Sequence, residues 1–246
     1  MQDGHFADPE LAGLYDLFSA FEDRRDFGFY LPMVMSTSSV LDVGCGTGAL
    51  LHRARELGHK GRLCGVDPAL GMLARARRRT DIEWVTADAS SVAFDSDFGL
   101  AVMTGHAFQE LVDDEELRSA LTAIRKALVP GGRFAFETRN PEVRPWERWP
   151  QQYSGEVTDA SGAVVRSVCE VEEPVTGDIV SFTHAFTSPK WTEPRVSRST
   201  LRFLDAGSLV PFLAEAGLVV DEQFGDWDRS PPTDKSPEII TIARKP

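Results

Sequence analysis

Cysteine, clustered cations and long apolar runs are all scarce in this chain, and each scarcity removes a class of function. Three cysteines, Cys45, Cys64 and Cys169, are too few and too far apart in 246 residues for a disulfide framework or a zinc site. Cys45 and Cys64 fall where strands are expected and behave there as small apolar residues. No apolar run approaches the ~20 residues of a membrane span, and no signal-peptide h-region opens the chain, so a reducing, cytoplasmic setting is expected. Lys and Arg number 26 against 38 Asp and Glu, a net charge of −12 that works against a nucleic-acid surface or an anionic membrane. The strongest basic run, Arg75-Ala76-Arg77-Arg78-Arg79, ends a predicted helix, where it complements the helix dipole on an exposed face.

What is present is ordinary globular material, 42% hydrophobic and 26% charged, in a chain long enough to bury roughly three quarters of its unfolded surface. Its most informative stretch is Val40-Leu41-Asp42-Val43-Gly44-Cys45-Gly46-Thr47-Gly48-Ala49-Leu50. An apolar run ends, three glycines alternate with small residues, and a helical pattern follows. Strand, glycine turn and helix in that order bring bare backbone N–H groups and a helix N-terminus up to a ligand. Ahead of it the first 39 residues read as helical, with Leu11, Leu14, Tyr15, Leu17, Phe18 and Phe21 at helical spacing and Pro32 expected to break the run.

After it come a helix over Thr47–Leu57, a strand over Arg62–Asp67, a helix over Ala69–Arg79 and strands over Ile82–Thr86 and Phe98–Met103. A helix opened by Asp113-Asp114-Glu115-Glu116, the turn Pro130-Gly131-Gly132 and a strand over Arg133–Glu137 complete the alternation. This grammar predicts a parallel sheet with helices on both faces. From about Arg144 the period changes to two, in Val164–Val171 and Ile179–Phe186, and three or four antiparallel strands are expected. A helix over Ala206–Ala216 and strands over Leu218–Phe224 and Glu238–Arg244 follow; the loop Gly225–Pro237 is too short for a parallel crossover, so these strands form a hairpin. The expected fold is α/β, a seven-stranded doubly wound sheet, mostly parallel with an antiparallel last strand, plus an inserted antiparallel β lid. The expected organisation is a helical cap over 1–39, a ligand-binding domain over 40–143 and 204–246, and the insertion over 144–203.

A glycine loop after the first strand suits two ligand families. The nicotinamide pattern G-x-G-x-x-G/A is met loosely by Gly44, Gly46 and Ala49, with Asp67 about twenty residues on for ribose hydroxyls. Further ordered features are Asp42 ahead of Gly44-Cys45-Gly46-Thr47-Gly48, Asp88-Ala89 after the third strand, Met103-Thr104-Gly105-His106 after the fourth, and Leu128-Val129-Pro130-Gly131-Gly132-Arg133-Phe134 before the fifth. Over nearly its whole length the sequence resembles the class I, Rossmann-like S-adenosylmethionine-dependent methyltransferases of small-molecule type. The resemblance implies S-adenosyl-L-methionine as cofactor, S-adenosyl-L-homocysteine as product, and in-line SN2 transfer to an O or N nucleophile of a small molecule. It implies that Asp42, Gly44, Cys45, Gly46 and Gly48 cradle the amino-acid end, and that Asp67 with Pro68 takes the ribose. Asp88 and Ala89 would meet the adenine, while Met72, Thr104, Gly105 and Phe108 would border the cofactor. Tyr15, in a Tyr15-Asp16 pair like that family's N-terminal Tyr-Asp, would close over it. A non-catalytic adenosyl-binding protein and a nicotinamide-dependent oxidoreductase are the competing readings.

On the acceptor side, His106 follows the fourth strand at the carboxyl edge, where open α/β sheets bind ligands. An imidazole with a pKa near ~6.5 can take a proton from an amine or hydroxyl; the alternative is that it only packs on the cofactor. Arg139 either meets an acceptor carboxylate or forms a surface salt bridge. Trp146, Tyr153 and His184, in or beside the insertion, either line an acceptor pocket or make up its buried face. No metal is expected, because the loops after the fourth and fifth strands read Thr104-Gly105-His106 and Thr138-Arg139-Asn140 where metal-dependent members of the fold carry acidic and amide ligands. No Asn/Asp-Pro-Pro-aromatic tetrad follows the fourth strand, which argues against DNA and protein-glutamine acceptors. A small-molecule acceptor, no nucleic acid, no membrane, and a monomer or homodimer are the expected partners and state.

Overall fold

Period-two burial along the central strands decides which helices pack where. The computed structural model describes residues 9–18 and 24–246; Phe21 and residues 1–8 of the expected cap lie outside them. Helices α1 (Pro9–Phe18) and α2 (Arg25–Met35) precede β1 (Ser39–Val43), α3 (Ala49–Glu56), β2 (Arg62–Asp67), α4 (Leu70–Ala76), β3 (Glu83–Thr86), β4 (Phe98–Met103), α5 (Asp114–Ala127) and β5 (Leu128–Arg139). Then come α6 (Trp149–Gln152), the strands β6 (Gly155–Thr158), β7 (Val164–Val171), β8 (Ile179–Thr187) and β9 (Arg195–Arg202), and finally α7 (Ala206–Glu215), β10 (Val219–Phe224) and β11 (Glu238–Arg244).

The large sheet has the order β10-β11-β5-β4-β1-β2-β3. Its β1–β5 pairings are parallel, and β11 runs antiparallel to both β5 and β10. Val40, Leu100, Val102, Ala135, Ile240 and Ile242 point to the face covered by α2 and α3, where they meet Tyr30, Val34, Leu50 and Leu51. Their neighbours Leu41, Val43, Ala101, Phe134, Phe136 and Ala243 point to the other face, beneath α5 and α7. Strands apolar on both faces belong at the centre of a covered parallel sheet. The seven-stranded doubly wound sheet with its antiparallel last strand is as expected. The second sheet, β6-β7-β8-β9, is antiparallel throughout and supplies the expected inserted strands.

Three local expectations need correction. Pro32 does not break the run: α2 passes through it to Met35. The carbonyl that Pro32 leaves without its helical partner belongs to Gly28, on the exposed side of the helix, where it is open to solvent. The Pro130-Gly131-Gly132 turn lies inside β5, as an irregularity between the Phe98–Leu128 and Leu100–Arg133 pairs. It is held there because Gly131 N–H donates to the Lys245 carbonyl and Lys245 N–H to the Gly132 carbonyl. Helices α3 and α4 are also shorter than their patterns, since Gly48 is left-handed and the Arg77–Arg79 segment turns away.

The small sheet sits over the carboxyl edge of the large one. At one end its inner face is apolar, where Cys169, Val180 and Leu201 pack on Trp146, Trp149 and Phe203. At the other end Val165 and Phe186 pack on Leu11 and Leu14 of α1. Between them the same face turns polar, with Ser167, His184 and Ser197.

Candidate active site

β1 ends at Val43, and the chain crosses the carboxyl edge through Gly44, Gly46 and Gly48 at φ of 72°, 55° and 78°. Gly48 shows why glycine is needed: it caps α3 in the left-handed region, and a Cβ there would stand 2.4 Å from the Trp84 ring. The loop is tied to β2. Gly44 and Cys45 N–H groups donate to the Val66 carbonyl at 2.8 and 3.1 Å, and Gly46 N–H donates to Asp67 Oδ2 at 2.8 Å. Asp67 Oδ1 accepts from Ala69 N–H at 2.8 Å. One buried carboxylate therefore fastens the loop to the start of α4, although burial pushes it above the usual carboxylate range.

A cavity of about 420 Å³ opens over this loop, a size suited to a small molecule. Of the residues the resemblance puts at the cofactor, Tyr15, Asp42, Gly44, Cys45, Gly46 and Thr104 line it. Asp42 is 1% exposed and its Oδ1 has no hydrogen-bond partner. Burial, and then the charge of Asp67, raise its pKa to about 7. A buried acceptor without a donor is costly, so beside a cavity it calls for a donor on a ligand.

Asp16 and Arg24 also line the cavity without having been singled out as ligand contacts, as do Arg75, Arg78 and Arg79 of the basic run, which was expected on an exposed face. Asp16 Oδ1 accepts from Thr47 Oγ1 at 2.7 Å, and its Oδ2 accepts from Arg75 Nε and Nη2 at 3.0 and 2.9 Å. This carboxylate pins α1 over the loop, and it draws Arg75 out of the basic run into a specific ion pair. Arg24 pairs with Asp26 at 2.5 Å and lies, like the Tyr15 hydroxyl, against the Gly105 backbone.

Other expected contacts lie elsewhere. Gly48 and Gly105 adjoin lining residues in the chain, and Asp67 reaches the lining through its bond to Gly46 N–H, but these three and Pro68 are not part of the lining. Asp88 caps the short turn Ala89–Ser91, where its Oδ1 accepts from Ser90 Oγ and Ser91 N–H at 2.6 and 2.8 Å. These hydrogen bonds hold its pKa below the usual carboxylate value. Met72 is buried against Ala12, Ala69 and Tyr15 under α1. Phe108 stacks on Phe136 at 4.1 Å within the core. Trp146 is likewise core, packed edge-on against Phe203 at 4.8 Å.

His106 sits in the left-handed region at φ 65°, a sparse conformation for a side-chain-bearing residue. Its N–H donates to Glu137 Oε1 at 2.8 Å, and Glu137 Oε2 accepts from the Tyr30 hydroxyl. Glu137 and Tyr30 are both fully buried, and burial raises both pKa values. The His106 ring bonds Glu238 at the start of β11, Nε2 to Oε2, at 2.9 Å. Burial, reinforced by the charge of Arg139, depresses His106 to about 3, while burial raises Glu238 to about 8. At neutral pH the pair shares its proton between Nε2 and Oε2 and carries no net charge. Arg139 is in no surface salt bridge among the described residues; it donates from Nη1 to Gln109 Oε1 at 3.0 Å and from Nη2 to the Tyr153 hydroxyl at 3.4 Å. His184 lies 6.3 Å from the Tyr153 ring and pairs through Nδ1 with Ser167 Oγ at 3.2 Å. The signals for Glu137 and Glu238 were single acidic residues at the ends of otherwise apolar strands. Among the described residues no cluster of three His, Cys, Asp or Glu side chains could hold a metal ion.

The family model for a methyltransferase domain matches residues 40–132, the segment from β1 into β5 that carries the loop, Asp67 and His106. A 2-phytyl-1,4-naphtoquinone methyltransferase of Thermosynechococcus vestitus is 36% identical over 122 residues, covering 47% of this chain and 53% of that protein. The aklanonic acid methyltransferase DauC of a Streptomyces species is 30% identical over 152 residues, 55% of this chain and 67% of that one. The chain thus spans about half the length of the first relative and about two thirds of the second. The CcbJ methyltransferase of Streptomyces caelestis shares the fold at a TM-score of 0.72, with 18% identity over 91% of this chain and 95% of its own. Motif order, cavity and relatives agree: the chain belongs to the class I S-adenosylmethionine-dependent methyltransferases.

Proposed function

We propose that the protein transfers a methyl group from S-adenosylmethionine to an O or N nucleophile of a small molecule. The observation that carries this reading is the unpartnered, buried Oδ1 of Asp42 beside the cavity over the glycine loop. The donor set matches the cofactor's ends. Asp42 suits an ammonium group, and Arg24 suits a carboxylate. Asp67 keeps lone pairs for ribose hydroxyls beyond its two backbone bonds. Such acidic partners would repel a 2′-phosphate. When bound, the cofactor supplies an electrophilic methyl carbon on a sulfonium.

The remaining work is positioning and proton handling by this chain. Tyr15 and the pinned α1 roof the cavity and exclude water. His106 and Arg139, at the carboxyl ends of β4 and β5, face the acceptor side with Tyr153 and His184. Within the His106–Glu238 pair, Glu238 holds Nε2, so Nδ1 is the atom that can accept a proton from the nucleophile. A cytoplasmic setting completes the reading, with Cys45, Cys64 and Cys169 all buried and free.

Titration calorimetry with S-adenosylhomocysteine and with nicotinamide nucleotides tests the donor. Only the former is expected to bind, with release of part of a proton near pH 7, because an ammonium beside Asp42 draws its pKa down from about 7. Tight binding of a nicotinamide nucleotide alone sinks the reading. Labelled methyl donor offered to a panel of small-molecule acceptors then separates an enzyme from a binding protein. Asp16→Ala should speed dissociation of S-adenosylhomocysteine about tenfold in stopped-flow measurements while barely moving the melting temperature. The Asp16–Arg75 pair is partly exposed and adds little global stability, yet with Thr47 it pins α1 over the loop.

A further inference from the structure

Arg139 ends β5, and the strand order places β4 between it and β1, so it stands across His106 from the glycine loop. Its guanidinium is fixed by neutral partners: Gln109 Oε1 accepts from its Nη1 at 3.0 Å and from its backbone N–H at 3.2 Å, and Tyr153 Oη accepts from Nη2 at 3.4 Å. Beneath it lies the Trp149 ring, with Cζ 5.2 Å from the centroid. Gln109 is itself buried and anchored, its Nε2 donating to the Arg202 carbonyl at 3.0 Å.

No carboxylate among the described residues lies within ion-pair distance of Arg139. Arg202 nearby holds two, Asp114 and Asp178 at 2.7 and 2.8 Å. Glu238, opposite Arg139 in the β5–β11 ladder, is turned to His106. Arg139 is thus held in place with its charge unneutralised and most of its donors unspent. A half-buried guanidinium costs desolvation that an arriving anion offsets, and its planar fork matches two oxygens at once. Tyr153, 39% exposed, stands beside it, with the His184 ring 6.3 Å from Tyr153 and tilted 40° to it, and the Phe182 ring edge-on to His184 at 5.6 Å.

Building on the methyltransferase reading, we propose that Arg139 anchors a carboxylate, or an equivalent anionic oxygen pair, on an aromatic acceptor. The acceptor is thus an aromatic acid whose ring lies along Tyr153 and His184 while its anion faces the guanidinium.

Calorimetry on protein loaded with S-adenosylhomocysteine, titrated with 4-hydroxybenzoate and with 4-hydroxybenzamide, tests this. The benzoate should bind at least about tenfold tighter than the amide, the two differing in charge and little in shape. Arg139→Gln should abolish the difference, Arg139→Lys should retain part of it, and both variants should keep the wild-type affinity for S-adenosylhomocysteine. Equal binding of the two probes, binding of neither, or a preference that survives Arg139→Gln overturns the proposal. If S-adenosylhomocysteine itself does not bind, the methyltransferase reading has failed, and the same two probes on the unloaded protein still judge Arg139.

Discussion

Asp67→Ala is expected to weaken S-adenosylhomocysteine binding by about hundredfold or more, measured by calorimetry, and to lower the melting temperature as well. The substitution strips the acceptor from Gly46 N–H and Ala69 N–H, which now share one carboxylate. Each is a charge-assisted bond worth roughly 1.5–3 kcal/mol, and losing the pair leaves backbone donors stranded at the seat of the ligand. The two hydrogen bonds that the remaining lone pairs of Asp67 accept from ribose hydroxyls in the bound state add about 3 kcal/mol or more, hence the factor of about a hundred in affinity. Asp67→Asn does not rescue, because its amide must turn one N–H toward a backbone N–H. Unchanged affinity in Asp67→Ala would remove Asp67 from the ligand seat.

The second large effect is on pH dependence. With Glu238 near 8 and His106 near 3, the form that can take a proton arises when Glu238 ionises, accepts Nε2–H and leaves Nδ1 open. At pH 7 about a tenth of the molecules are in that form, so turnover should rise about tenfold between pH 7 and pH 9. Glu238→Gln has no carboxyl to ionise, and its amide oxygen can accept Nε2–H at any pH, so its pH–rate profile should be flat over the same interval. His106→Ala should lower turnover while leaving S-adenosylhomocysteine affinity intact. A wild-type profile without a rise through pH 8, or a Glu238→Gln profile that keeps it, disposes of the pair as the proton acceptor. The same shift has a stability consequence of opposite sign. A carboxyl raised on folding contributes stability that is full below its unfolded value near 4.5 and lost as pH rises through about 8.

The α/β frame was legible because its signals are local and repetitive. Arg62–Asp67, Phe98–Met103, Val164–Val171 and Glu238–Arg244 end where their apolar patterns end. The glycine loop was legible for the same reason: its backbone geometry admits few residues besides glycine. Pro32 misled because a helix tolerates proline where the orphaned carbonyl meets water, and exposure is a tertiary fact. Phe108, Trp146 and Met72 misled because an aromatic or thioether reads alike whether it faces a ligand or a core. The pairs Asp16–Thr47, His106–Glu238 and Glu137–Tyr30 were illegible, since their members are 31, 132 and 107 residues apart. No pattern in one sequence announces such a meeting.

Helix α1 belongs to two neighbourhoods at once. Leu11 and Leu14 pack into the small sheet, while Ala12 and Tyr15 pack on α4 beside the glycine loop. On the proposed function, residues adjacent in sequence would report to different molecules, one neighbourhood serving the acceptor and the other the donor. A substitution in α1 that reshapes its contact with the small sheet would then be felt one residue away beside the glycine loop.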